Sequence, residues 1–288
     1  MNSLKHRKQQ LKHLRFILKL KESDELENII TNVDSYYGEF VEEKKDKNTG
    51  LAKRYKDGSV KRRILNPPFN SLKNIQSKIK NKILSKIPLP ENIHGAVKKK
   101  SNITNAKYHQ GNKYIFTTDL VDFFPSITIK DVNSIFSGLG YSCLMARFLS
   151  LLTTYKKRVP QGAPTSSHLA NLAFLNIDKT IIDFCYKKGI KYTRYVDDLT
   201  FSAPFDFKDD ILSIIKIIKC PSHNFKINYR KTNYKGNQII TGIQLSNNCL
   251  GVPDKIKIKV EEEKKLGLQN GPYTNYANQI ISTNKRKK

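Results

Sequence analysis

Apolar residues in the first third of the chain recur at helical spacing. Leu11, Leu14 and Leu18 fall at i, i+3 and i+7, so one apolar stripe is separated from faces that carry Lys and Arg. A second series of Leu and Ile runs from 72 to 87 in steps of three and four, with lysines between its members and prolines at 88 and 90. The pattern predicts two amphipathic helices with cationic outer faces.

Runs rich in β-branched and aromatic residues predict strands. Two such runs, 190–196 and 199–202, are separated only by Asp197 and Asp198, which is enough for a tight hairpin. The turn signal Lys56-Asp57-Gly58-Ser59 predicts a basic β-hairpin over 53–63. Further strands are predicted over 113–120, 225–228 and 238–245, and helices over 132–154, from a cap at Thr165 or Ser166, and over 209–219. This order is typical of an α+β fold.

The C-terminal segment from Gly251 loses apolar content. It contains a Glu-Glu-Glu-Lys-Lys run and ends in Lys-Arg-Lys-Lys. Because such a composition favours solvent over a packed core, we expect this tail to fray.

The net charge of the chain indicates the kind of partner that it binds. The 288-residue chain has 52 Lys and Arg against 25 Asp and Glu, a formal net charge of +27. A solubilising surface needs a charge of only about 2–8. The excess therefore indicates a polyanion, with nucleic acid ahead of a membrane surface. With 38% apolar residues, 14 Phe and 14 Tyr, the chain is not a disordered polyelectrolyte.

Cysteine spacing and the N-terminus indicate the compartment. The four cysteines are tens of residues apart and form no C-x-x-C pair, which argues against a zinc site and against a disulfide framework. The basic N-terminus lacks a cleavage site, and no apolar run approaches the roughly 18 residues that span a bilayer. We expect a cytoplasmic protein with no membrane partner.

Three acids stand out in this basic chain. Asp119 ends a predicted strand, and Asp197 and Asp198 lie at a predicted hairpin tip. Carboxylates from neighbouring strands can hold two divalent ions for an in-line phosphoryl displacement. The alternative is an ordinary polar turn with an unrelated cap residue, and taken alone the Asp pair favours that alternative.

The surroundings of the acids carry a family resemblance. Segment 194–202, with Tyr195-Val196-Asp197-Asp198, resembles the Y-x-D-D hairpin of reverse transcriptases. Segment 119–127 resembles their D-x-x-x-F-F-P-S-I palm motif, and 160–166 is similar to their P-Q-G-x-P-x-S loop. Further matches, in the family's order, are Arg62-x-Ile64-x-x-Pro67, Leu72-Lys73-x-x-Gln76 and Asn228-x-x-Lys231-Thr232.

Two additional features are similar to retron enzymes within that superfamily. One is His94-Gly95 followed by Asn105-Ala106-x-x-His109. The other is Ile240-Thr241-Gly242, which is similar to a V-T-G motif with Ile in place of Val.

The resemblance implies a right-hand polymerase of the α+β class, with fingers and a palm on an antiparallel sheet and a short helical thumb. Fingers and palm would occupy 1–245, with an N-terminal helical and basic hairpin region over 1–117 and the catalytic palm mainly over 113–245. Residues 246–288 would form a short thumb and basic tail.

The resemblance also implies roles for single residues. Asp119 and Asp197 would hold two Mg²⁺ ions with the carbonyl of Leu120, and Asp198 would support the same hairpin. The nucleotide would contact Arg62, Arg63, Phe124, Gln161, Gly162 and Lys231, and RNA would contact Lys98, Lys99, Lys100, Asn105, His109, Thr241 and Gly242. Plainer alternatives remain: Phe124 as a core aromatic, His109 as a helix cap or buried polar residue, and either arginine as a solvated strand position.

The implied function is RNA-directed DNA synthesis of the retron type. The partners would be a structured noncoding RNA that is both template and primer, deoxynucleoside triphosphates, the branched RNA-linked DNA product and a retron effector protein in anti-phage defence. Lysines over 53–63, 73–86 and 98–100 would contact phosphates without reading sequence. The alternatives are another bacterial reverse transcriptase, such as the group II intron type, and a non-catalytic RNA-binding protein on a polymerase fold.

Overall fold

The structure is a computed structural model that describes residues 2–21, 25–44, 52–54, 57–221, 223–236, 238–246 and 249–284. The helices in these ranges are α1 (Asn2–Leu18), α2 (Leu26–Thr31), α3 (Asn70–Lys82), α4 (Asn102–Tyr108), α5 (Phe123–Ser126), α6 (Ile129–Gly138), α7 (Cys143–Thr153), α8 (Ser166–Ala173), α9 (Leu175–Lys188), α10 (Ile211–Ile218), α11 (Asp254–Lys265) and α12 (Pro272–Ser282). The strands are β1 (Phe40–Glu43), β2 (Arg62–Leu65), β3 (Tyr114–Val121), β4 (Lys191–Tyr195), β5 (Asp198–Ala203), β6 (Lys226–Ile227), β7 (Asn233–Lys235), β8 (Gln238–Ile240), β9 (Ile243–Ser246) and β10 (Cys249–Gly251). No helix in the described ranges is both long and apolar enough to cross a membrane.

The chain divides into two compact units. The first contains Met1–Lys44, Lys53–Leu89 and Asp122–Asn176, and the second contains Lys45–Ala52, Pro90–Val121 and Ile177–Lys288. The first is mainly helical, and the second contains both larger sheets.

Helices α1, α3 and α7 pack together in the first unit because the predicted apolar stripes face inward. Leu14 and Leu18 of α1 and Leu72 of α3 have no exposed surface. Gln76 of α3 is also fully buried, and its amide donates to the hydroxyl of Tyr37 at 2.6 Å and to the Leu152 carbonyl at 2.8 Å. Both predicted amphipathic helices are therefore present, although the second ends as an α-helix at Lys82 and is followed by a 3-10 turn over Leu84–Lys86.

The ribbon formed by β1 and β2 differs from the predicted hairpin. The turn at Asp57 and Gly58 is present, Gly58 has a φ of +83°, and Arg54 bridges Val60. Strand β2, however, pairs along its length with β1, from Phe40 opposite Leu65 to Glu43 opposite Arg62. Lys56, part of the turn signal, lies outside the described residues.

A five-stranded antiparallel sheet forms the centre of the second unit. Its strand order is β4-β5-β3-β6, and β7 also pairs with β3. On one face, Phe201 of β5 stacks with Tyr192 of β4 at 4.8 Å between centroids and contacts Phe116 of β3 at 5.6 Å. This aromatic face anchors the two strands that carry the predicted acids.

The C-terminal segment is folded, so the prediction of a frayed tail is wrong for the residues described there. The predicted strand 238–245 is a hairpin of β8 and β9 that turns at Thr241 and Gly242, and β10 adds a third strand. Ile256 of α11 and Ala277 and Ile280 of α12 pack into one apolar cluster with this small sheet. The sparse apolar residues of the tail are thus enough because the sheet supplies the opposite face.

Candidate active site

Strand register brings two of the predicted acids together. Asp119 of β3 lies directly opposite Asp198 of β5, which in turn lies opposite Tyr195 of β4. Because opposed residues of antiparallel strands point to the same face, the three side chains share one face of the five-stranded sheet. Burial raises the pKa of Tyr195, and the neighbouring Tyr276 and Asp198 raise it further.

The turn between β4 and β5 carries the third acid. It consists of Val196 and Asp197, one residue earlier than the predicted tip at Asp197 and Asp198, so Asp198 is instead the first residue of β5. Val196 has a φ of +61°, which is rare for a β-branched residue. The Asp197 carbonyl accepts a hydrogen bond from the Leu120 amide at 3.1 Å. The turn is thereby tied to the end of β3, next to Asp119.

Lys231 reaches into this group of acids. Its ammonium lies 2.7 Å from Oδ2 of Asp119, while Asn228 donates to Oδ1 at 3.2 Å. Burial lowers the pKa of Lys231, but the hydrogen bond and charge of Asp119, together with the charges of Asp198 and Asp197, outweigh burial and raise it. A positive group is therefore held where the acidic side chains converge.

The carboxylates of this site are suitable ligands for a divalent ion, but in this structure they do not lie close enough together to hold one. Among the described residues, no three His, Cys, Asp or Glu side chains are gathered closely enough to hold a metal ion. Carboxylate oxygens are nevertheless the ligands that Mg²⁺ prefers, and the Lys231 ammonium shows that a cation is stabilised at Asp119. The residues present fit a divalent ion in charge and ligand type.

The predicted nucleotide contacts before Lys231 all lie in the first unit. Gln161 and Gly162 form a loop beside the end of β2, where the Gln161 carbonyl accepts from the Asn66 amide at 2.8 Å. Gly162 has a φ of +93°, a conformation that favours glycine. Arg62 and Arg63 are exposed on β2. The structure thus brings the strand of the two arginines and the glycine loop together.

Phe124 lies in the short helix α5 of the first unit. Its ring is half-buried and contacts Phe123 at 5.8 Å between centroids. Phe123, not Phe124, is the fully buried member of the pair. Phe124 thus keeps a partly accessible ring.

Two of the retron-like motifs meet in the second unit. Asn105 of α4 donates to the Thr241 hydroxyl at 3.4 Å, and Thr241 and Gly242 both have positive φ in the β8–β9 turn. His109 follows α4 and is fully buried, with Nδ1 and Nε2 each 2.7 Å from the hydroxyls of Ser202 and Thr193. Because Asn105 and His109 have no exposed surface, they join elements in this structure and offer no surface to RNA.

The predicted basic run between β2 and β3 is divided. Lys98 and Lys99 are exposed, whereas Lys100 is paired with Glu91 at 3.0 Å. Of these three lysines, therefore, only Lys98 and Lys99 offer a partner a charge that no carboxylate of the described residues offsets.

Sequence reasoning missed the residues behind the turn of Val196 and Asp197. Arg194 is fully buried and forms an ion pair of 2.6 Å with Asp178 of α9. A Cβ on Gly95 would lie 2.3 Å from the Val196 nitrogen. The available signals were an arginine directly before the Y-x-D-D motif and a glycine within the His94-Gly95 pair.

An antiparallel sheet with acids on adjacent strand ends, and a third acid in a two-residue turn, defines the palm of a right-hand polymerase. Residues 55–253 match the family model of reverse transcriptase (RNA-dependent DNA polymerase). The chain belongs to this family, whose members use divalent metal ions.

Two relatives within this family are retron reverse transcriptases. The chain is 36% identical to the retron Ec86 reverse transcriptase of Escherichia coli, over 68% of this chain and 63% of the relative. It is 33% identical to the retron Se72 reverse transcriptase of Salmonella heidelberg, over 60% of this chain and 46% of the relative. The chain thus spans less than two thirds of the length of each of these relatives. A solved telomerase from Candida albicans, in complex with a fragment of telomeric RNA, is 10% identical with a TM-score of 0.46, over 90% of this chain and 57% of that chain.

Proposed function

We propose that this protein is an RNA-directed DNA polymerase that copies an RNA template with deoxynucleoside triphosphates. The observation that carries the proposal is the opposed pair Asp119 and Asp198, next to the turn that carries Asp197. Membership of the reverse transcriptase family supports the same reaction.

The acids would hold two Mg²⁺ ions, with Asp119, Asp197 and the Leu120 carbonyl as ligands and Asp198 as support for the hairpin. When bound, the ions would activate the primer hydroxyl and offset the charge of the triphosphate. Lys231 now forms an ion pair with Asp119, so its ammonium would move toward the phosphates as that carboxylate takes up an ion. The sheet register would keep Asp119 and Asp198 on one face throughout.

The nucleotide would be held by the residues of β2 and the glycine loop. Arg62 and Arg63 would bind the triphosphate as bidentate donors, and the open backbone at Gly162 would allow Gln161 to approach the base and sugar. The half-buried ring of Phe124 would crowd the 2′ position of a ribonucleotide. In this proposal 1–245 are the fingers and palm, and the helical hairpin of α11 and α12 belongs to a short thumb.

Retron activity would add a cognate structured RNA as both template and primer, a branched RNA-linked DNA product and an effector protein in cytoplasmic anti-phage defence. Support comes from the similarity to retron enzymes and from the hydrogen bond between Asn105 and Thr241 of two retron-like motifs. A non-catalytic RNA-binding protein would not need the acids, and all three are present.

Asp197→Asn tests the reaction. On an RNA template with Mg²⁺ and deoxynucleotides, the purified protein should synthesise DNA, and the variant should lose at least about 100-fold in rate because a charged ligand is removed. Asp183→Asn, on the exposed face of α9, makes the same change of charge and should retain the rate. A wild-type protein that binds the RNA but synthesises no DNA would overturn the enzyme proposal. A product that a 2′–5′ debranching nuclease separates into RNA and DNA would support the branched form.

A further inference from the structure

The turn of Val196 and Asp197, which we call the β4–β5 turn, is held in an unfavourable backbone conformation. Val196 has a φ of +61°, a region of backbone conformation in which a β-branched side chain is strained. The next residue is Asp197, whose carboxylate direction depends on the torsions of this turn. Such a conformation persists only where the surroundings hold it.

Arg194 binds this turn from the opposite face of the sheet. Residues alternate between faces, so Arg194 of β4 points away from Asp119 and Asp198. Its Nη1 donates to the Val196 carbonyl at 2.9 Å. Its Nε and Nη2 donate to the Asp178 carboxylate at 2.9 and 2.6 Å.

The ion pair is rigidly embedded. Arg194 and Asp178 side chains have no exposed surface, and Tyr192 donates a further hydrogen bond to Asp178 at 2.7 Å. Burial lowers the pKa of Arg194, but the charge and hydrogen bonds of Asp178 outweigh it, so the guanidinium remains charged. The planar guanidinium cannot reorient without breaking the ion pair. The pair therefore fixes the position of Nη1, which donates to the Val196 carbonyl.

A second segment closes the turn from another side. The His94 amide donates to the Arg194 carbonyl at 2.8 Å, and Ile93 forms a parallel bridge with Arg194. Gly95 lies so close that a Cβ there would be 2.3 Å from the Val196 nitrogen and 2.7 Å from Val196 Cγ2. The turn is therefore confined by contacts on both sides.

We propose that Arg194, anchored by Asp178, is a positioning residue that keeps Val196 in its strained conformation and thereby directs the Asp197 carboxylate toward the divalent ions. The inference rests on the proposed polymerase function. A buried ion pair kept for stability alone could be replaced by apolar residues of similar volume. An apolar pair could not donate to the Val196 carbonyl.

The double variant Arg194→Met with Asp178→Leu separates these roles. We expect it to melt within about 5 °C of the wild type while the Mg²⁺ concentration for half-maximal DNA synthesis rises at least about 10-fold, because one buried hydrogen bond to the turn is lost. Amide exchange at Leu120, which donates to Asp197 at 3.1 Å, should accelerate without any metal. If the double variant does not fold, Arg194→Lys is measured in its place. Lys keeps the charge but lacks the planar fork that serves both acceptors, so the same changes in Mg²⁺ dependence and Leu120 exchange are expected.

Tyr192→Phe is the matched control. It removes a buried hydrogen bond to the same carboxylate but none to the turn, so the Mg²⁺ dependence and the Leu120 exchange rate should match the wild type. Folded Arg194 variants with unchanged Mg²⁺ dependence and exchange would overturn the inference. An inactive wild-type protein would instead overturn the proposed function, and the exchange experiment would still test the effect of Arg194 on the turn.

Discussion

His109 shows how a polar side chain in a retron-like motif serves the sheet that carries the acids. Its two ring nitrogens each lie 2.7 Å from a hydroxyl, one on β4 and one on β5. Burial, with a smaller contribution from the charges of Lys191 and His94, lowers the pKa of His109 to about 3. The imidazole is therefore neutral and links α4 to β4 and β5, the two strands of the hairpin that carries Asp197 and Asp198.

This depressed pKa predicts an acid-sensitive fold. Between pH 6.5 and 3, His109 is protonated in the unfolded chain but not in the folded chain. The free energy of unfolding is therefore at its full value above pH 6.5 and decreases as the pH falls below it. Relative to His109→Gln, the wild-type free energy of unfolding should fall by up to about 1.4 kcal/mol per pH unit. Denaturant unfolding of both proteins at pH 8, 6 and 5 measures this difference.

His13→Gln, at an exposed position of α1, gives the baseline for losing an imidazole. A constant stability difference between wild type and His109→Gln across that pH range would show that His109 does not control the acid response. His94, whose pKa burial and Lys100 lower to about 4, is present in all three proteins.

At the scale of elements, local patterns predicted most helices and strands, while long-range contacts determined the rest. Apolar periodicity was sufficient for α1 and α3 because each has one clear inner face. The predicted single strand over 238–245 failed because Thr241 and Gly242 adopt a turn with positive φ that alternation does not reveal. The predicted helix over 132–154 is interrupted between α6 and α7, where Gly140 has a φ of +88°.

The predicted helix cap and strand partner failed for a related reason. Thr165 precedes α8 as predicted, but its side chain makes no capping bond, and its hydroxyl instead lies 3.4 Å from the buried amide of Gln76. Strand β2 pairs with β1, across an intervening stretch of chain, rather than within the predicted hairpin. Such partners depend on tertiary packing, which local sequence does not encode.

The candidate site divides in the same way. Motif spacing brought out Asp119, Asp197 and Asp198, and strand register explains why two of them meet. Arg194 and Asp178 are 16 residues apart and meet only because α9 packs against the sheet. No spacing rule pairs an arginine on a strand with an acid on the preceding helix, so this contact required the structure.

Glu263 holds the two C-terminal helices together. Its carboxylate accepts hydrogen bonds from the Tyr273 amide at 2.9 Å and from the Thr274 amide at 2.8 Å, at the start of α12. Gly271 makes room for it, since a Cβ there would lie 2.1 Å from the carboxyl carbon. The acid thus binds the positive end of a helix whose amides have no other partner within the helix.

Glu263→Gln should therefore loosen this hairpin. The amide nitrogen of Gln would face an N–H donor, so we expect a melting temperature lower by about 3–6 °C and faster exchange at the Tyr273 and Thr274 amides. Glu261→Gln, on the exposed side of α11, removes only a surface ion pair with Lys264 and should melt like the wild type. Equal melting of both variants would contradict a capping role for Glu263.

At the scale of the whole molecule, the net charge of +27 includes a local cluster of lysines. Lys78, Lys82 and Lys86 follow α3 and the 3-10 turn Leu84–Lys86 after it, and the Lys78 ammonium donates to the Lys19 carbonyl at 2.9 Å. Burial lowers the pKa of Lys82, and the charges of Lys19, Lys78 and Lys86 lower it further. Within the described part of the chain, none of the four forms an ion pair with a carboxylate. We therefore expect this lysine cluster to bind phosphates of the RNA.

The triple variant Lys78→Gln, Lys82→Gln, Lys86→Gln tests the lysine cluster through salt dependence. Each lost phosphate contact removes about 0.7–0.9 from the slope of log affinity against log salt, so the slope for RNA binding should fall by roughly 2–3. Lys179→Gln, Lys187→Gln, Lys216→Gln makes the same change of charge at exposed positions of α9 and α10 and should alter the slope much less. Equal reductions in both triple variants would mean that RNA responds to total charge, whereas a selective reduction assigns phosphate contacts to the lysine cluster.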